Sequence, residues 1–169
     1  MRLGFTLILV APLGGCFKPV YGPSAGISPR EELQHIQVEP VPDLLGYNLT
    51  KELRFLLNGT GETKTPRYRL LIEVISTRPG VVVDTTSGRA TATSLFTRAD
   101  YKLMPIGAAT NTKPIATGFA ITITQYDRTS NRFANVRAAR DAYIRNAKDL
   151  AEQLRSHIAT QLPPSPTPQ

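Results

Sequence analysis

The chain has 169 residues, 41% of them hydrophobic and 20% charged, with a formal net charge of +7 and one cysteine. A length of this order suits one domain with a modest core. A single cysteine excludes an intramolecular disulfide framework.

The N-terminus opens with the positive charge of Arg2, followed by a mostly apolar run from Leu3 to Ala11. Pro12, Gly14 and Gly15 end that run before the roughly 20 apolar residues of a membrane-spanning helix are reached. The segment therefore reads as a secretory signal. Leu13-Gly14-Gly15-Cys16 resembles the bacterial lipobox, an aliphatic residue and two small ones before a cysteine. Small residues let the extended backbone enter a peptidase cleft, and the thiol accepts a diacylglyceryl group. The competing reading is an ordinary signal with an incidental or buried cysteine. Cys16 is the sole cysteine and stands where the apolar run stops, which favours lipidation. The expected division is a signal peptide over 1–15, a lipidated tether over 16–32, a folded domain over 33–162 and a Pro-rich tail over 163–169. Acyl chains such as palmitate, at about 0.8 kcal/mol per buried methylene, would anchor the protein without a spanning helix. Phe17 stands where an aspartate would favour inner-membrane retention, so the outer membrane, facing the periplasm, is the expected location.

Loss of Arg2 with the leader lowers the charge from +7 to +6. Between Arg67 and Arg145 there are 12 basic residues against 5 acidic ones. Solubility is one reading of that excess, and an anionic partner is the other. For an exported lipoprotein the abundant anion is phosphorylated glycolipid. A pI of 9.9 would suit nucleic acid, but the export signal argues against that partner.

In chain order, Pro19, Gly22, Pro23, Gly26 and Pro29 make the first part an extended tether. Leu33 to Val41 reads as a short strand, with Ile36 and Val38 alternating and Pro40 and Pro42 ending it. Asp43 reads as the N-cap of an amphipathic helix whose Leu45, Leu49, Leu53, Leu56 and Leu57 share a face. Asn58-Gly59 supplies its stop. From Arg67 to Val83 the period changes to two, with Tyr68, Leu70, Ile72 and Val74 on one face and a bulge or turn at Pro79-Gly80. Ala90 to Met104 alternates Leu95, Thr97, Ala99, Tyr101 and Leu103. In a final threonine-rich run, Ile115, Thr117, Phe119, Ile121 and Ile123 alternate with Ala116, Gly118, Ala120 and Thr122. Ala134 to Gln161 forms the longest helix, with Val136, Tyr143, Ala147, Leu150, Leu154 and Ile158 on one face. This order predicts an α+β two-layer sandwich, with two helices on one face of a roughly four-stranded sheet.

Catalytic constellations are missing. His35 and His157 are the only histidines and lie at no metal-ligand spacing. No serine sits in a nucleophile elbow, and Glu31-Glu32 falls in the expected tether. Neither an enzyme, nor a cofactor, nor a metal is expected; a hydrolase with an unrecognised site is the weakest option.

After the lipobox the sequence reads Cys16-Phe17-Lys18-Pro19-Val20-Tyr21-Gly22, which is similar to the mature start of the lipopolysaccharide-assembly lipoproteins (LptE-like). There, a cysteine precedes an aromatic, a proline, an aliphatic residue, tyrosine and glycine. Tyr126, Ala134, the run from Arg137 to Ala142, Arg145, Ala147 and Leu150-Ala151 also resemble that family, as does the strand, helix, three-strand, helix order. The glycine that often follows the family's cysteine is absent here. The resemblance implies a non-enzymatic lipoprotein that plugs and helps assemble an outer-membrane β-barrel lipopolysaccharide translocon, and that contacts lipopolysaccharide. The alternative is an auxiliary lipoprotein of an ABC-type lipid transport system. Candidate lipopolysaccharide contacts are Arg78 and Arg89 beside the Pro79–Gly88 loop, Lys113 before the last strand, and Arg98 and Lys102 within the preceding strand, facing away from the helices. The competing reading of all five is solvated surface charge.

Overall fold

The computed structural model describes residues 29–59, 64–83, 90–109 and 111–162. The signal and Cys16, the tether up to residue 28, Arg89 and the tail from 163 lie outside the described residues. Seven elements follow in order: α1 (Pro29–Leu33), β1 (Ile36–Val38), α2 (Asp43–Asn58), β2 (Tyr68–Val83), β3 (Ala90–Pro105), β4 (Ala116–Asp127) and α3 (Arg132–Gln161). The strands form one sheet in the order β1-β2-β3-β4. β1 runs parallel to β2, and the remaining pairs are antiparallel. The helices α2 and α3 cover one side of the sheet, which is the expected two-layer α+β sandwich.

Of the α2 leucines read from the sequence as one face, Leu45, Leu49, Leu53 and Leu57 are buried and Leu56 is half-buried against the same cluster. Gly59 ends the helix with φ 72°, a left-handed conformation that costs glycine little, and its N–H donates to Phe55 O at 2.8 Å. Asp43 departs from the reading as N-cap. Pro42 holds the cap position, no side chain caps the helix, and Asp43 itself adopts φ 70°. In β2 the register shifts between Thr77 and Gly80, so Pro79-Gly80 marks a bulge within one continuous strand.

Two boundaries move. Leu33 belongs to the single turn α1, and Glu32, expected in the tether, is 2% exposed. Arg67 Nη1 donates to Glu32 Oε1 at 3.0 Å, and the Tyr68 hydroxyl donates to Oε2 at 3.3 Å. A carboxylate can be buried there because both oxygens gain partners. On α3, Val136 does not join the core and is exposed; buried positions begin at Ala142.

The inner faces of β3 and β4 have a different composition from the helices. Leu95, Ala99, Tyr101 and Leu103 of β3 and Ala116 and Ala120 of β4 are buried. Tyr101 fills the space that the small residues of β4 leave. A Cβ at Gly118 would meet the Tyr101 ring at 2.9 Å, so glycine is required where the ring crosses the strand. Tyr101 is 1% exposed, and its hydroxyl has no hydrogen-bond partner among the described residues. Burial pushes its phenol above the ordinary value of 10.0. The neutral form is thus favoured by folding, so this stabilisation is complete below pH 10.0 and is lost as pH rises through the higher folded value. Tyr101→Phe should retain full stability at neutral pH, because it removes an unsatisfied hydroxyl. Its thermal midpoint should also fall less steeply than the parent's under alkaline conditions. A Phe variant destabilised by more than about 1 kcal/mol at neutral pH would reveal a hydrogen bond worth keeping.

Candidate outer-sheet binding face

Strand alternation turns the odd-numbered residues of β2 as far as the bulge, the odd-numbered residues of β4 and the even-numbered residues of β3 away from the helices. On β4 the side presented outward is the larger and more apolar one. Ala116, Ala120, Thr122 and Thr124 are buried, whereas Phe119 is 49% exposed and Ile123 is 63% exposed. Leu71, Ile75 and Ile121 also lie exposed on this outer face. Alternation alone left open which side of β4 faces the helices. Here bulky Tyr101 and two helices occupy the inner side, leaving room only for small residues at Ala116, Gly118 and Ala120 of β4.

A bidentate ion pair lies among these apolar side chains. Arg98 Nε donates to Asp100 Oδ2 at 2.8 Å, and Arg98 Nη2 to Oδ1 at 2.6 Å. The Arg98 guanidinium also sits 4.3 Å from the Phe119 ring centroid. The hydrogen bonds from Arg98 hold the Asp100 carboxyl below its ordinary value, and the same bonds raise Arg98. Register places Arg98 between Ile75 and Ile121, and Asp100 beside Phe119. Lys102 lies between Leu71 and Thr117 on the same face. The outcome is an apolar surface with fixed charges, the mixture found at protein interfaces. Contiguous exposed apolar groups of this kind mark binding surfaces in soluble proteins.

Of the basic residues read from the sequence, the four described ones, Arg78, Arg98, Lys102 and Lys113, do not converge. Arg98 and Lys102 face away from the helices, as expected, but Arg98 is already paired. Arg78 lies on the helix side, where it donates to the Tyr143 hydroxyl and its guanidinium is 5.6 Å from the ring centroid. Lys113 is exposed before β4, at the opposite end of the sheet from Arg78. Sequence reasoning missed the apolar outer face itself. Its signal was present in β4, where isoleucine and phenylalanine alternate with alanine, glycine and threonine. It also missed Asn146, which is fully buried on α3 and donates to Thr124 Oγ1 at 3.1 Å. Among the described residues, no group of histidine, cysteine and carboxylate side chains is arranged to hold a metal. None of the described helices is long and apolar enough to cross a membrane.

No family model matches the chain, and no curated protein matches it. Among solved structures, a protein classed as a lipoprotein in Caulobacter crescentus CB15 has a TM-score of 0.61 at 21% identity, over 78% of this chain and 93% of that one. A minor lipoprotein from Acinetobacter baumannii has a TM-score of 0.47 at 20% identity, covering 78% and 93% of the two chains. The rare lipoprotein B from Shewanella oneidensis has a TM-score of 0.46 at 12% identity, covering 72% and 92%. At 21% identity the likeness to the Caulobacter structure establishes a shared fold, a two-layer α+β sandwich that spans almost the whole of that chain.

Proposed function

We propose that this protein is an outer-membrane lipoprotein that helps assemble, and plugs, a β-barrel translocon carrying lipopolysaccharide to the cell surface. The observation that carries the reading is the open outer face of the sheet, where Ile75, Phe119, Ile121 and Ile123 surround the Arg98–Asp100 pair. Leaving those side chains in water forgoes hydrophobic stabilisation, which a partner surface would recover. The lipobox ending in Cys16 supports the location, because a lipid anchor confines the domain to the membrane where such a barrel resides. The names of its structural neighbours support a lipoprotein in the same way. The role is non-enzymatic and needs no cofactor: the protein contributes shape, anchor and binding faces.

Affinity capture of the lipidated protein from detergent-solubilised membranes tests this reading. Co-purification of a large heat-modifiable β-barrel is the expected result. Recovery of inner-membrane transporter subunits instead would overturn it in favour of an ABC-type lipid transport role. The anchor has its own test. Cys16→Ser should abolish incorporation of labelled fatty acid and leave precursor or soluble periplasmic protein. Label retained on the variant would show that Cys16 is not the lipidated residue.

A further inference from the structure

The end of the sandwich where β2 and β4 finish and α3 begins carries a cleft of about 530 Å³. Its lining includes Arg78 of β2, Arg128 just beyond β4, and Arg132 at the first position of α3. Thr93 and Tyr126, cross-strand partners on β3 and β4, contribute to it, together with Ser130 from the turn. Among the described residues, none of the three arginines forms an ion pair with a carboxylate.

Two further features set this cleft apart from an ordinary basic surface. Thr93 is only 4% exposed, and its hydroxyl has no hydrogen-bond partner among the described residues. A buried hydroxyl without a partner costs free energy and is uncommon in folded proteins. The first turn of α3 is also charged against its own dipole. Helix N-termini favour carboxylates, yet this turn contains no acid and starts at Arg132, with Arg128 close before it. Asn131 caps the backbone, its Oδ1 accepting from Phe133 N and Ala134 N, but it brings no negative charge. An anion in the cleft would relieve both the arginine repulsion and the unfavourable dipole.

We infer that the cleft of Arg78, Arg128, Arg132 and Thr93 is a binding site for a phosphate group. Guanidinium forks match phosphate oxygens bidentately. Arg78 is already oriented by its hydrogen bond to Tyr143, while Arg128 and Arg132 are exposed and unpaired among the described residues. Thr93, Ser130 and Tyr126 supply hydroxyls that suit a multiply oxygenated ligand. A cleft of this volume falls in the range of small-ligand sites. A lipid headgroup and a free anion present the same phosphate oxygens, so the site suits either source. The inference deepens the proposed function by giving the glycolipid's phosphate a place, and it rests on that reading only for the source of the ligand.

The test uses the mature domain and the variant Arg128→Gln/Arg132→Gln. Binding is measured to phosphatidylcholine vesicles with and without phosphatidic acid, and to inorganic phosphate alone. The parent should prefer the phosphatidic acid vesicles or bind inorganic phosphate, and in either case more weakly as salt rises. The double variant should lose about a hundredfold in affinity, from two charge-assisted contacts. Arg128→Lys/Arg132→Lys should lose less, and Lys64→Gln/Arg69→Gln, at the far end of the sheet, should leave binding unchanged. Binding to vesicles alone assigns the phosphate to a lipid headgroup; binding to inorganic phosphate alone assigns it to a free anion. The site is overturned if the parent binds neither probe, if the double variant binds as tightly as the parent, or if the far-end variant loses as much. Barrel capture is scored separately: its loss in the parent would remove the translocon role while leaving a positive phosphate result in place.

Discussion

Leu154→Asp should unfold the domain at ordinary temperatures. Leu154 is 0% exposed and belongs to the cluster in which α2, α3 and the inner sheet face meet. Truncating a buried leucine alone costs about 2–5 kcal/mol. An aspartate adds the cost of a polar or charged group with no partner in that cluster, another few kcal/mol. The sum is comparable to the roughly 5–15 kcal/mol that holds a domain folded. Leu154→Ala should stay folded with a lowered urea midpoint, which separates loss of packing from burial of charge. Leu53→Asp, at 0% exposure on the facing side of α2, should behave like Leu154→Asp. An unchanged thermal midpoint in either aspartate variant would show that the assigned core face is wrong.

The opposite pattern is expected for Ile75→Ser/Ile123→Ser. These side chains are 54% and 63% exposed on the outer sheet face, so their loss removes little burial from the isolated domain. Strand propensity spans about 1 kcal/mol per residue, and the folding midpoint should shift by no more than that scale. Partner capture should fall by tenfold to a hundredfold, because interface anchors contribute about 1–3 kcal/mol when desolvated. Normal capture by the double variant would mean that the outer face is not the docking surface. Reduced capture accompanied by a large loss of stability would show that these residues support the fold instead.

Periodicity sufficed for much of the architecture. The leucine spacing of α2, the alternation of β2 and β3, and the Ala147, Leu150, Leu154, Ile158 stripe each mark a buried face. A side chain's direction follows from its position in a helix or strand. The Gly59 stop was legible for a similar reason, since a helix end in the left-handed region selects glycine. The candidate faces were less legible. Arg78 and Arg98 stand out as positive charges in the sequence, but their different partners, Tyr143 and Asp100, come from α3 and from two residues along the same strand. Arg128 and Arg132 drew no attention, because a basic turn acquires meaning only when β2 and β3 bring Arg78 and Thr93 beside it.

The sequence by itself determined the types of the longer elements and the two-layer α+β class, because each rests on short-range spacing. Tertiary structure decided which side of β4 faces the helices. Alternation shows that Phe119, Ile121 and Ile123 share a side, but not which side is inward. That choice depends on volume: Tyr101 and the two helices fill the inner layer, so Ala116, Gly118 and Ala120 turn inward and the bulky residues turn outward. Glu32 was decided likewise. Two adjacent glutamates beside a Pro-rich stretch read as solvated, and only the chain's return through Arg67 and Tyr68, 35 and 36 residues later, supplies the partners that allow one of them to be buried.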